Sequence, residues 1–144
     1  MPVIGCHCNA CHSDDPRDKR LRSSILIQSS STTVFIHIGP YFRQQMLSAE
    51  VSSLNAVVYT HEHRDHIAGL DDIRAYNFLH KRSMDLFAEK SVINSLKVSF
   101  PYIFVKDKYP GVPAVALHEI ILHPFSVGDI EFIPVRMLHA TMPV

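Results

Sequence analysis

The sequence predicts an α/β fold, and two patterns in it carry the prediction. Short apolar runs alternate with stretches whose apolar residues recur at helical spacing, giving strand, helix, strand, helix between Val34 and Phe100. A dense group of metal-ligand side chains then follows one of those apolar runs directly, at the strand end where open α/β sheets bind their ligands. The 144 residues suit one domain with a single core, and 47% hydrophobic against 19% charged residues is a globular balance.

Residues 1–24 read as a loop carrying Cys6, His7, Cys8, Cys11 and His12, followed by the polar run Ser13 to Arg22. Ser24 to Ile27 is a short apolar strand, Ser29 to Thr33 a turn, and Val34 to Ile38 a second strand paired with the first as a hairpin. Gly39-Pro40 breaks that strand, and Phe42 to Ser48 makes a short helix. Asn55 to Tyr59 is apolar enough to be buried on both faces. Leu70, Ile73 and Asn77 share one face of a helix predicted over Ile67 to His80, and Ser83 to Ala88 is a further strand. Val92, Ile93, Leu96 and Phe100 have the spacing of an amphipathic helix. Phe125 to Val135 reads as a hairpin turning at Gly128-Asp129, with His139 just past its end.

Composition excludes some functions. Fourteen basic residues balance fourteen acidic ones, so no broad field draws the protein toward nucleic acid or an anionic membrane. No apolar run is long enough to cross a bilayer, and Met1 to Ala10 lacks the apolar centre of a signal peptide, so a cytoplasmic location is expected. The three cysteines fall between Cys6 and Cys11, too close for a disulfide framework. In a reducing compartment such a cluster points to metal.

The strongest local pattern is His61-x-His63-x-Asp65-His66. In an extended stretch, residues two apart point the same way, so His61 and His63 can hold one cation. Asp65 and His66 lie one turn further on and can face a second cation a few ångströms away. Neutral imidazole suits zinc, and a carboxylate adds a hard ligand that also tolerates manganese. Cys6-x-Cys8-x-x-Cys11 supplies three soft ligands, one short of a closed tetrahedral zinc site, with His7 and His12 as local candidates for the fourth.

Thr60 to Gly69, Thr-His-Glu-His-Arg-Asp-His-Ile-Ala-Gly, resembles the motif of the metallo-β-lactamase superfamily. The resemblance implies that His61 and His63 bind one metal, that Asp65 and His66 bind another, and that His139 completes the first site. Gly5 to Cys8, Asp15 to Ser24, Gly39 to Gln45 and Phe125 to Asp129 resemble the PhnP-like branch, whose best-known activity is cyclic phosphodiester hydrolysis. That branch implies a structural zinc on Cys6, Cys8 and Cys11, its fourth ligand a histidine near the family's C-terminus. The expected fold is thus the first half of an αββα sandwich, with residues 1–24 as a zinc loop and 25–144 as the N-terminal half. One apolar sheet face is expected to lack its partner and to favour self-association.

The chain departs from the family pattern in three respects. The glycine-rich strand that usually precedes the cysteine loop is missing, and so are the later aspartate that bridges both metals and the last histidine of the second site. His37 and Tyr41 stand where the family usually has aspartates; a carboxylate at the first place would orient the metal loop, and His37 cannot accept in the same way. The implied chemistry is hydrolysis of a small phosphodiester by a metal-bound hydroxide, with two divalent cations, zinc or manganese, and with Asp65 as a candidate proton carrier. Arg20 and Arg22 could orient a phosphate. The alternative is a zinc-binding fragment without turnover, since His61, His63 and His139 alone make a three-histidine site. A nucleic-acid substrate lacks the basic arm it would want, and the cysteine loop does not support a β-lactam substrate.

Overall fold

The structure is a computed structural model that describes residues 1–144. Its centre is a five-stranded mixed sheet in the order β1 (Ile25–Gln28), β2 (Thr33–Ile36), β3 (Ala56–Val58), β4 (Met84–Ala88) and β5 (Val115–Glu119). The first two strands pair antiparallel and the rest run parallel, so the loops after β2, β3 and β4 leave one edge together. Ala56, Val57 and Val58 are all buried, as a central strand covered on both faces requires.

Helices cover one face. They are α2 (Phe42–Ser48), α3 (Arg64–Ile67), α4 (Arg74–His80), α5 (Lys90–Ser99) and α6 (Pro101–Phe104); α1 (Asn9–His12) lies in the cysteine loop, outside this layer. Phe35, Val57 and Leu86 of the sheet meet Phe42, Ile73, Leu96 and Ile103 of the helical layer in the main core. The α5 pattern is as the spacing predicts: Val92, Ile93 and Leu96 are buried, and Phe100 caps the same stripe.

The opposite face is partly covered, which corrects the expectation of an unpartnered sheet. β6 (Phe125–Val127) and β7 (Ile130–Phe132) fold back as a hairpin over Val34, Ala56 and Val58. Phe87 of β4, Phe125 and Phe132 stack in sequence, with ring centroids 5.0 and 5.2 Å apart. An apolar cleft of about 230 Å³ remains beside them, lined in part by Ile36, Val58 and Val135. The hairpin is shorter than the predicted Phe125–Val135 because Pro134 cannot donate to a ladder. A last two-stranded hairpin, β8 (Leu138–His139) with β9 (Met142–Pro143), carries His139.

Three further differences from the sequence expectations have local causes. β2 stops at Ile36 because His37 takes a left-handed conformation, φ 69°, which turns the chain out of the sheet. The helix predicted over Ile67–His80 is three pieces: α3, a 3₁₀ turn at Leu70–Ile73, and α4. Residues 1–24 hold α1 and a 3₁₀ turn at Pro16–Asp18 capped by the Asp15 carboxylate. The edge strand β5 has no counterpart in the sequence reading.

The second hairpin is fastened to the first by Asp129. Its carboxylate accepts from the Ser29 hydroxyl at 2.7 Å, and its N–H donates to Thr32 Oγ1 at 3.3 Å. Gly128 precedes it at φ +57°, where a Cβ would lie 2.1 Å from Thr32 Oγ1, so only glycine fits the turn. The hydroxyls of Thr32, then Ser29 and Ser31, hold the Asp129 carboxyl down to about 2, from 3.8. A carboxyl depressed in the folded state stabilises it above the unfolded value and loses that contribution as pH falls through the folded one. Asp129→Asn should therefore melt below the parent at pH 6, with the gap closing between about pH 4 and pH 2. Thermal melts across that window check it.

Candidate metal centre

Three histidines from two distant segments converge at the carboxyl edge of the sheet. His61 and His63 come from the loop after β3 and His139 from β8, and one nitrogen of each lies within 4.8 Å of the others. A tetrahedral zinc holds its nitrogen ligands about 3.3 Å apart, so a small inward movement closes the set. His61 Nε2 is buried with no hydrogen-bond partner, and a bare buried nitrogen is costly unless something binds it. The donor set and this orphaned atom fit a divalent cation. His139, named in the sequence only by resemblance, comes from β8 to lie beside His61 and His63.

Asp65 and His66 lie beside this group and outside it. His66 Nε2 is 3.5 Å from Asp65 Oδ2, and the same oxygen is 3.6 Å from Arg22 Nη1. The His66 ring is 4.3 Å from that of His61, and its Nδ1 is also buried without a partner. Arg22, which the sequence offers only as a possible phosphate contact, is thus at the centre; its carbonyl is gripped by Gln45 Nε2 at 2.8 Å. Arg20 lies away from it, bonded to the Arg17 carbonyl at 3.2 Å.

The protonation states suit metal binding. Burial pushes the His61 imidazole below its usual value, with His66, His63 and His139 adding to the effect. His66 is lowered mainly by burial too, against the pull of Asp65. Partial burial works to raise the Asp65 carboxyl, but its own backbone N–H, His66, Arg22 and His63 together hold it below the carboxylate range. Near neutral pH these shifts favour neutral imidazoles at His61 and His66 and a charged carboxylate at Asp65, the forms in which each binds a cation.

Two residues that sequence reasoning left without a positive role take part. Thr60 N–H donates to His37 Nε2 at 3.4 Å, Thr60 Oγ1 lies 2.8 Å from that nitrogen, and the same oxygen lies 2.8 Å from His61 Nδ1. His37 does accept, then, through one lone pair where a carboxylate offers two oxygens. Burial, with His66 and His61 nearby, lowers its imidazole to about 4. Tyr41, the other departure, caps the start of α2 and makes no side-chain cap bond there. No single stretch of sequence could have shown the His37–Thr60 contact, which joins the ends of two parallel strands.

The cysteines form a second convergent set. The sulfurs of Cys6, Cys8 and Cys11 lie within 4.8 Å of one another, against the spacing of about 3.8 Å in a tetrahedral thiolate site. The Cys8 thiol is lowered to about 7, first by the Cys11 backbone N–H and then by the Cys6 and Cys11 sulfurs. His7 Nδ1 and His12 Nε2 face each other at 3.2 Å, and neither joins the three-sulfur set.

A mixed sheet backed by helices, with a His-x-His-x-Asp-His loop and a later histidine at its carboxyl edge, defines an α/β fold whose loops gather metal-ligand side chains at one place. The chain belongs to the metallo-β-lactamase superfamily and is PhnP-like: the model of the β-lactamase superfamily domain matches residues 25–143. A diphosphatase from the PhnP family superposes with a TM-score of 0.88 at 35% identity, over 99% of this chain and 54% of that one. The octanoyltransferase of Porphyromonas gingivalis is 41% identical over 146 residues, all of this chain and 29% of that protein. Zinc-bound PqqB from Methylobacterium extorquens shares the fold, with a TM-score of 0.62 at 20% identity over 88% of this chain and 44% of that one. The chain therefore spans under a third of the octanoyltransferase and about half of the diphosphatase.

The histidine loop is held by a backbone contact that tolerates no side chain. Gly69 N–H donates to Ile38 O at 2.9 Å, and a Cβ on Gly69 would lie 2.2 Å from Gly39 O. Gly69→Ala should lower stability by about 2 kcal/mol or more, because the obstacle is backbone. It should also weaken zinc binding at the histidines by separating the two loops. Urea melts and a zinc titration followed on the histidine NMR signals check both.

Proposed function

We propose that the protein is a metal-dependent hydrolase acting on small phosphoesters, of phosphodiester or diphosphate type. The observation that carries the reading is the convergence of His61, His63 and His139 around a buried nitrogen without a partner. Divalent cations, when bound, would supply an acidified water near neutral pH and positive charge to offset that building on the phosphoryl oxygens. His61, His63 and His139 would hold the first cation, and Asp65 with His66 would offer ligands to a second. Arg22, 3.6 Å from Asp65 Oδ2, would offer its guanidinium to a phosphate oxygen. Zinc and manganese both suit these donors. Cys6, Cys8 and Cys11 would hold a structural zinc that ties the first residues together.

Support for a phosphoryl substrate comes from the PhnP-family diphosphatase at 35% identity. The octanoyltransferase match favours another chemistry by name, yet the shared region is only 29% of that protein, so acyl transfer need not reside in it. A second reading, zinc binding without turnover, is favoured by one observation: Asp65 and His66 stand outside the three-histidine set.

Hydrolysis of bis(p-nitrophenyl) phosphate with added manganese or zinc separates these readings. The wild-type protein should turn it over, and His63→Ala should lower the rate at least about 100-fold while p-nitrophenyl octanoate is left intact by both. Equal rates in the two proteins would leave only the zinc-binding reading. Octanoate cleavage lost in His63→Ala would move the assignment to acyl chemistry.

A further inference from the structure

We propose that His37 sets the tautomer of His61 through Thr60, so that the metal-facing nitrogen of His61 carries a bare lone pair before any cation arrives. Three contacts fix the order of protons. The Thr60 peptide N–H can only donate, and it points at His37 Nε2 from 3.4 Å, so that nitrogen carries the lone pair. The Thr60 hydroxyl, 2.8 Å from the same nitrogen, donates to it as well. With its proton committed, Thr60 Oγ1 accepts from His61 Nδ1–H at 2.8 Å. The His61 proton therefore sits on Nδ1.

The reverse order fails at both ends. It would set an Nε2–H of His37 against the peptide N–H of Thr60. It would also place a proton on His61 Nε2, which is buried and has no acceptor. Of the two, the first order leaves Nε2 free to meet the nitrogens of His63 and His139, and it alone gives the Thr60 peptide N–H its acceptor.

The backbone is shaped for this contact. His37 follows β2 at φ 69°, and its own N–H donates to Val58 O at 3.0 Å, so the turn holds its ring against the end of β3. An extended residue there would continue the strand and point its side chain elsewhere. His37 and Thr60 are thus positioning residues: neither belongs to the three-histidine set, and both act through His61. Removing a group that orients a metal-binding histidine typically costs 10–100-fold in metal affinity. The effect on affinity rests on the metal-centre reading; the tautomer does not.

The test is a long-range proton–nitrogen NMR spectrum of the metal-free protein, with His61 assigned from His61→Ala, followed by zinc titration on the histidine signals. Those signals separate the histidine site from the cysteine site. Wild-type His61 should show a protonated Nδ1 and an unprotonated Nε2. Thr60→Val should lose that preference and bind zinc about 10–100-fold more weakly, whereas Thr60→Ser should keep both properties. His37→Phe should behave like Thr60→Val, and His37→Asp, which returns an acceptor and tolerates the left-handed backbone, should restore the wild-type pattern. If His37→Phe fails to fold, the Thr60 pair decides alone. A proton on His61 Nε2 in the wild type, or a Thr60→Val protein with unchanged tautomer and zinc affinity, overturns the proposal. Histidine signals that do not move with zinc would remove the metal-centre reading, while the tautomer would still decide the role of His37.

Discussion

The loops that follow β2 and β3 meet through their main chains at Gly39 and Gly69. The Gly69 N–H reaches the Ile38 carbonyl, and neither glycine has room for a Cβ, which would fall 2.2 Å from Gly39 O in one case and 2.3 Å from Asp65 O in the other. This contact stops the helix predicted from Ile67 and forces the turn between α3 and the 3₁₀ segment. It also sets the His37 ring 4.2 Å from that of His66 and 5.5 Å from that of His61. Without it, the two strands would still pair, but their loops would not deliver imidazoles to one point.

Parallel pairing supplies the rest of the geometry. Because β2, β3 and β4 run the same way, everything that follows them emerges at one edge, and the main core joins that sheet to the helical layer beneath. His139 reaches the edge by another route. The stack of Phe87, Phe125 and Phe132 seats the β6–β7 hairpin, and Arg136 then pairs with Glu89 at 2.9 Å just before β8. An ion pair this exposed adds modest stability; its use is to fix where the His139 hairpin lies. A hollow of about 550 Å³ opens beside that hairpin, bounded by Glu62, Glu89 and Arg136 among others.

The electrostatics of the centre follow from crowding. Imidazoles packed within a few ångströms of one another cannot all be charged, so burial and mutual repulsion lower His37, His61 and His66 together. The only carboxylate in their midst is Asp65, and Arg22 steadies it from the first loop. The centre thus combines imidazoles lowered by burial, one carboxylate, and two buried ring nitrogens, His61 Nε2 and His66 Nδ1, without hydrogen-bond partners.

The sequence by itself determined the fold class, the family and most of the donor residues of the candidate site, because those signals are local. His61, His63, Asp65 and His66 lie within one turn of chain, the three cysteines within another, and α2 and α5 follow from short-range spacing. The tertiary structure decided what depends on residues far apart meeting. It broke the Ile67–His80 helix, added the edge strand β5, whose mixed burial leaves no clean alternation, and covered part of the sheet face expected to be bare. It set Asp65 and His66 beside the three-histidine group and not within it. It also gave His37 a partner in Thr60, 23 positions away. Periodicity reports which face a residue occupies, and a motif reports which donors a loop carries. Which lone pair faces which proton across two strand ends is settled only when the backbones dock.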